Sequence, residues 1–531
     1  LATGLAVMAA AATVPGPDAI WVLPSFLLIG LALDDRRTPP VLLILLVLAI
    51  ALATLTKFSF LVIGVPALIA WTVAAAVRRD PLVFLAVPLY AATVALLWVA
   101  AGQEPSGFTD WLRASFLVAR GYAPAMSITS YWGDLLAYGA LVVVLLYGLW
   151  LGFRRDATLA LRIIVLLGWA ALFMLVAKAG FVRHDGHGVF PFEIAVVVAA
   201  LVLAGVAPRY RDLGPRLALP VVALVFSVGW LMDAQLRLSP GHKEFQRKVY
   251  NELRSTPLQL IEIPNDLLSK RRKAALYEER AEESRTLLGG PHPRIQTAES
   301  VDVFTYKLSP PMQAGLPYRP RPVIQSYQAY LPELAAYDLA HIRENGAEVY
   351  VVEPVSIDNR PTLADGGYLW PEFLSRYDPV DEVPLGLLLE RREVPVALDT
   401  RIVFDRRVRF NRWVELPAAK PGTLLQVQGS IRPTVAGHVV GLAYKPPQLA
   451  IRLRRADGGE QVHRLVPGQL GAGFPVAPIL STPADIAALF AGQEAGVPVT
   501  AFRIEAGRLQ QAFWGSSFPL TVTEIHRPGQ G

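Results

Sequence analysis

Residues 154–187 read RRDATLALRIIVLLGWAALFMLVAKAGFVRHDGH. An arginine-bearing turn, Arg154-Arg155-Asp156, leads into the apolar stretch 161–182. That stretch is about the ~20 residues that an α-helix needs to cross a bilayer. It runs out into a dense polar cluster, Lys178-Ala-Gly-Phe-Val-Arg183-His184-Asp185-Gly186-His187. The same grammar repeats across residues 1–232. Short arginine loops recur at Asp34-Asp35-Arg36-Arg37, Arg78-Arg79-Asp80, Arg154-Arg155-Asp156 and Arg209-Tyr210-Arg211. Cytoplasmic loops of membrane proteins carry the excess of Lys and Arg, so an even number of spans should separate each loop from the next. Hydropathy supplies that parity. Spans are expected at 19–33, 81–101, 135–153, 161–182, 189–207 and 217–232, with a further span ending near residue 14. Residues 41–77 should form two short spans that meet at Thr56-Lys57-Phe58-Ser59. The loops 108–134 and 183–188, and all of residues 233–531, then fall on the opposite side from the arginine loops.

Composition agrees with a chain of two characters. Of 531 residues, 53% are hydrophobic, and the mean hydropathy is +0.38, more apolar than an average soluble domain. Residues 1–232 hold 15 basic and 11 acidic side chains, and the remainder 35 and 33. The charge excess is therefore mainly a topology signal. It forms no basic stripe of the kind nucleic acid requires, and no nucleic-acid partner is expected. Cysteine is absent, which excludes disulfides and thiolate metal sites. The chain opens at Leu1 inside an apolar stretch, which reads as a fragment whose first spans lie upstream.

Beyond residue 232 the pattern changes. Residues 233–290 read as a helical linker, with a helix over 265–288 whose Lys270-Arg271-Arg272-Lys273 run suits a solvated face or lipid phosphate. Residues 291–398 read as an α/β module: 300–306 and 348–353 are strand-like, and 331–345 has helical spacing and stops at Asn345-Gly346. Residues 399–531 read as a β-sandwich, with strand-like runs at 424–429, 437–442, 449–454 and 499–504. The fold class is thus a polytopic α-helical membrane domain (1–232), followed by extracytoplasmic α/β and β-sandwich modules.

Chemistry concentrates in the 178–187 cluster, because ionisable groups at a bilayer are costly and tend to be used. Arg183 and Lys178 suit a phosphate. Asp185, His184 and His187 are candidate catalytic residues, for proton transfer or to orient a divalent metal. That metal identity stays open, and no other cofactor is implied. Lys57, between two apolar spans, is either a snorkelling side chain or a second phosphate contact. The outer loop Asp110-Trp111-Leu112-Arg113…Arg120-Gly121-Tyr122…Ser130-Tyr131-Trp132 offers Arg113 as a third cation, while Trp111 and Trp132 suit an aromatic belt. In the second half, Arg321-Pro-Val-Ile-Gln325-Ser-Tyr327-Gln-Ala-Tyr330 and Ser356-Ile-Asp358-Asn359-Arg360 bound strands. Loops there can form a pocket or serve as turns.

The segment Leu-Ala-Thr-Leu-Thr-Lys57-Phe-Ser, the many short spans, the interfacial loop and a C-terminal extracytoplasmic domain resemble the GT-C superfamily of integral-membrane glycosyltransferases. The 178–187, 321–330 and 356–360 segments are also similar to those of bacterial members. The resemblance implies a polyprenyl-phosphate-linked sugar donor and a glycan, lipid or protein acceptor. It implies transfer on the periplasmic side of the inner membrane, and a catalytic acid in a first outer loop expected upstream of Leu1. Two rivals remain. One is a non-enzymatic component of envelope-glycan assembly or export. The other is a transporter, for which midplane ionisable groups and inverted repeats would be expected.

Overall fold

The computed structural model describes residues 17–33, 38–129, 131–153, 157–206, 226, 229–230, 269–418 and 420–528. The expected span ending near residue 14, the arginine loops at 34–37, 154–156 and 209–211, nearly all of the span 217–232 and the linker 233–268 lie outside these residues. The chain divides into two compact units. One comprises residues 1–115 with 128–264, the other residues 116–127 with 265–531.

The first unit is helical: α1 Pro17–Gly30, α2 Pro40–Thr56, α3 Phe58–Val77, α4 Val83–Ala100, α5 Gly107–Met126, α6 Trp132–Gly152, α7 Leu159–Phe181 and α8 Phe190–Val206. Among the described residues, four helices, α3, α4, α6 and α7, are long and apolar enough to cross a membrane. A helix satisfies most of its backbone polar groups within itself, as a bilayer demands; Pro66 in α3 and Pro88 in α4 each remove one such bond. α2 and α3 are separated at Lys57, where the backbone turns extended (φ −156°, ψ 125°). The start of α7 is capped by Thr158, whose hydroxyl accepts from Leu161 N at 3.3 Å. Small residues bring the helices close. A Cβ added at Gly168 of α7 would stand 2.9 Å from Ala70 Cβ of α3, and one at Gly180 would stand 2.3 Å from the Pro191 ring.

The interfacial loop 102–134 differs from expectation. It holds the continuous helix α5, whose second half, 116–127, belongs to the second unit. That half is built into the strand-rich core. Ala125 and Met126 are buried with Tyr330, and Tyr330 Oη donates to Val118 O at 2.6 Å. The last carbonyls of a helix lack intrahelical donors, and here two guanidiniums supply them. Arg360 donates to Ala125 O at 2.9 Å and Arg464 to Pro124 O at 3.1 Å. Positive charge at a helix C-terminus is also electrostatically favourable.

Among the described residues, the second unit carries three four-stranded sheets. β1 Val301–Phe304, β2 Val349–Val352, β3 Tyr377–Val383 and β4 Gly386–Arg391 lie in the order β1-β2-β4-β3. β1 and β2 run parallel, joined across the helix Pro332–Asn345. Both are buried along their whole length, as parallel strands usually are. The later strands are β5 Asp399–Arg409, β6 Val414–Glu415, β7 Thr423–Gly429, β8 Leu449–Arg455, β9 Glu460–Leu465, β10 Phe474–Ala477, β11 Val499–Glu505 and β12 Ser517–His526. They form two antiparallel sheets, β10-β7-β12-β5 and β6-β11-β8-β9. Leu425, Val427 and Val522 of one sheet share a core with Ile451, Leu453 and Phe502 of the other. A second core runs across residue 398: Tyr350, Phe373 and Leu389 are clustered with Leu424, Leu480 and Ile525. The linker helix begins at Lys270, capped by Ser269, and ends at Leu287.

One expected strand is a helix. Residues 437–442 read as strand-like, but they lie in the helix Val435–Ala443. The Thr434 hydroxyl accepts from Gly437 N at 3.2 Å, an N-cap that starts a helix where β-branched residues alone would not. Tertiary context then outweighs β propensity.

A buried charged network lies beneath β1. Arg321 stands 3.0 Å from Asp302, both fully buried. Asp338, also buried, accepts from Val323 N at 2.8 Å and from Tyr368 Oη at 2.7 Å. Burial pushes the Asp338 carboxyl up to about 6, although Arg321 and the Tyr368 hydroxyl oppose the shift. A carboxyl whose folded value exceeds its unfolded 3.8 binds more protons when folded. Its contribution to stability is full below the unfolded value and is lost as pH rises through about 6. Asp338→Asn keeps one acceptor oxygen for Val323 N, turns its amide NH2 toward the Tyr368 hydroxyl oxygen as a donor, and removes this loss. The melting temperature of the variant relative to wild type should therefore rise between pH 4 and pH 7 in detergent-solubilised chain. An equal difference at both pH values would contradict the assignment.

Candidate functional site

The end of α7 gathers most of the sequence-predicted site. Val182 closes the helix, and its carbonyl accepts from Ile128 N at 3.0 Å. Ile128 also pairs with Arg183 in an isolated parallel bridge. The chain then turns through a 3-10 segment, Gly186–Val189, whose N-cap is Asp185; its carboxylate accepts from His187 N at 3.2 Å. Both carboxylate oxygens of Asp185 are engaged. Arg183 Nε stands 2.9 Å from Oδ2, and His187 Nδ1 stands 2.6 Å from Oδ1. Partial burial works to raise the Asp185 carboxyl, but His187 and Arg183 outweigh it and hold the group below the usual carboxylate range. Asp185 is therefore a charged orienting group, and His187 is the member placed to exchange a proton. The His187 ring is more than half exposed, and among the described residues no partner stands at its Nε2.

His184 does not join this group. It turns inward, with Nε2 2.9 Å from Asp134 Oδ2, and both side chains are buried. Trp230 Nε1 donates to the other Asp134 oxygen at 3.0 Å. Phe181 packs on the imidazole at 5.0 Å, and Tyr138 and Phe192 pack around Phe181. This pair fixes the exit of α7 against the first turn of α6. Asp134 sits in that first turn, where a carboxylate is favoured by the helix dipole. Sequence reading missed Asp134 because its partner is 50 residues away. The available signal was an acid in the first turn of an apolar helix. Glu193, in the first turn of α8, is a second buried acid of the same kind.

Lys57 and Arg113 are both exposed, and the Lys57 ammonium lies 5.7 Å from the Phe60 ring. Lys178 sits half-buried in the last turn of α7. Helix directions place Lys57 at the same end of the unit as Arg183. Ser25 faces Gly64 and Arg78 reaches Leu31 O, so α1 and α3 run the same way. Phe26 meets Phe173 while Ile29 faces Gly168, so α7 runs oppositely. With Gly168 against Ala70, the start of α3 and the end of α7 each lie ~18–20 Å along from that contact. Trp111 belongs to an aromatic cluster at this end, 6.1 Å from Phe58, 5.5 Å from Trp98 and 5.4 Å from Phe108. His184, Asp185 and His187 do not converge as ligands, and among the described residues no three His, Cys, Asp or Glu side chains are placed to hold a metal.

The second unit has a separate small depression at the carboxyl ends of β1 and β2. Phe304, Thr305, Tyr306, Ser326, Tyr327, Val355, Ile357 and Asp365 line it. Ligands favour the carboxyl ends of parallel strands. Here the Thr305 hydroxyl donates to Glu353 at 2.5 Å and Lys307 to the same carboxylate at 3.0 Å. The loop after β2 holds Asp358, Asn359 and Leu363 at φ near +55°, +55° and +66°, conformations that cost L-residues energy. The 321–330 and 356–360 segments thus border one depression, but their arginines have structural work. Arg321 is paired with Asp302. Arg360 is paired with Asp365 at 2.5 Å and caps α5.

Comparisons of the chain with protein-family models, curated proteins and solved structures find no match.

Proposed function

We propose that this chain is a membrane-embedded glycosyltransferase that moves a sugar from a polyprenyl-phosphate donor to an envelope acceptor, at the membrane face where α7 emerges. In a bacterial inner membrane that face is periplasmic, and the strand-rich unit is extracytoplasmic. The observation that carries the reading is the Arg183–Asp185–His187 group. An imidazole is oriented by a carboxylate and flanked by a guanidinium, at the end of an apolar helix. In the proposed step the acceptor hydroxyl oxygen bonds to the anomeric carbon and His187 Nε2 takes its proton. The bond from that carbon to the phosphate oxygen breaks, and the electron pair leaves with the polyprenyl phosphate. Arg183, with Lys57 and Arg113 toward the same end, supplies positive charge as the phosphate dianion develops.

Arg183→Ala should lower kcat/KM by about 2–4 kcal/mol, the usual loss when a contact to developing charge is removed. Radiolabelled polyprenyl-phosphate hexoses and pentoses, reconstituted with the chain in proteoliposomes, supply the assay. Unchanged kcat/KM in a folded Arg183→Ala variant would remove Arg183 from the site. One observation favours a second reading. The depression beyond β1 and β2 offers aromatic rings, hydroxyls and the Asp365 carboxylate, groups suited to contacting a glycan without chemistry. Under that reading the chain binds envelope glycan, and variants at His187 leave binding intact.

A further inference from the structure

The helix Val435–Ala443 presents an apolar stripe that the strand-rich unit does not cover. Its inward side is fixed by Gly437, which is buried. A Cβ at Gly437 would stand 2.1 Å from Phe513 O. Thr434 ties the helix start to the same neighbouring turn, donating from N to Phe513 O at 3.0 Å and from its hydroxyl to Ala512 O at 2.9 Å. At 3.6 residues per turn, Val435, Val439 and Leu442 lie roughly 140–200° around the helix from Gly437. They are 82%, 62% and 74% exposed, and Leu509, just before that neighbouring turn, is 86% exposed. Large apolar side chains this exposed and this aligned mark an interaction surface.

We infer that this helix is an interfacial membrane anchor, with Val435, Val439, Leu442 and Leu509 seated among lipid headgroups and upper acyl chains. Two observations select lipid as the occupant. First, among the described residues the same chain carries four helices long and apolar enough to cross a membrane. Second, the stripe is flanked in sequence by the exposed cations Arg432 and Arg508, which suit anionic headgroups. The apolar face supplies insertion and the flanking charge supplies attraction, the combination by which amphipathic helices lie in an interface.

The chain contains no cysteine, so Val439→Cys gives a single site for a nitroxide spin label in the otherwise intact chain. Leu509→Cys gives a second, independent site. Asp457→Cys, on the exposed turn between β8 and β9, serves as the water-facing reference. Each labelled chain is reconstituted in vesicles of phosphatidylcholine with phosphatidylglycerol, and collision rates with oxygen and with a water-soluble nickel chelate are measured. The expected result is a several-fold preference for oxygen at Val439→Cys and Leu509→Cys, with the opposite preference at Asp457→Cys. Nickel access at all three sites equal to that at Asp457→Cys would overturn the proposal. Spin–spin broadening at Val439→Cys without oxygen preference would also overturn it, because it would assign the stripe to a second copy of the chain.

Discussion

Replacing His187 with alanine is expected to slow sugar transfer by about 10²–10⁴-fold, the usual contribution of a positioned general base. The expectation follows from how the 183–187 loop divides its work. Asp185 uses one oxygen on Arg183 and the other on His187. His187 keeps an exposed ring with Nδ1 anchored, and so a fixed orientation for Nε2. His187→Ala leaves the Arg183–Asp185 pair and the 3-10 turn in place, so expression and folding should be close to wild type. Asp185→Asn should also reduce the rate, because the imidazole loses its orienting charge while remaining present. Exogenous imidazole should restore part of the rate in His187→Ala, a result that a purely structural role would not produce. Unaltered transfer in a folded His187→Ala chain would remove the residue from the chemistry.

Arg321→Ala is expected to destabilise the strand-rich unit by about 3–5 kcal/mol, the cost of breaking a fully buried ion pair from one side. Asp302 is already pushed above the usual carboxylate range by burial, with the Arg321 charge opposing that shift. Without the guanidinium, Asp302 and Asp338 would be left as two buried acids with no opposing charge. Arg321 also donates to Val303 O at 3.1 Å and to Ser326 Oγ at 3.3 Å, and its plane lies 5.0 Å from the Phe304 ring. The double variant Arg321→Met/Asp302→Val removes both charges together and should recover most of the loss, since apolar replacements of buried ion pairs are often neutral. Urea unfolding of the solubilised chain, followed by tyrosine and tryptophan fluorescence, measures both. A loss below about 1 kcal/mol for Arg321→Ala would place the pair among weak, solvated ion pairs.

What could be read from the sequence was what is local. Apolar runs of bilayer length, the break at Lys57 and the Asn345-Gly346 helix stop are each contained in a few residues. So is the alternation of Leu449, Ile451 and Leu453 toward the core in β8. Pairings across distance could not be read. His184 meets Asp134, 50 residues away. Arg360 caps a helix end at Ala125, 235 residues away. The latter explains why 321–330 and 356–360 read as candidate ligand loops: a buried arginine with a structural partner has the same local appearance as one awaiting a ligand. The helix at 435–443 was hidden for a different reason. Its Val content favours a strand and its Gly content disfavours a helix, and only the cap at Thr434 and the close approach of Gly437 to Phe513 reverse that preference.

The most direct test of a polyprenyl-phosphate site at the end of α7 is photocrosslinking. A polyprenyl phosphate carrying a photoreactive group near its phosphate is irradiated with the reconstituted chain, and the adducts are mapped by mass spectrometry. Adducts are expected on the 178–190 segment, suppressed by excess unlabelled polyprenyl phosphate and weakened in Arg183→Ala. Adducts scattered along the apolar helices, unaffected by competitor and by Arg183→Ala, would show that the chain meets this lipid only as solvent and would contradict the proposed function.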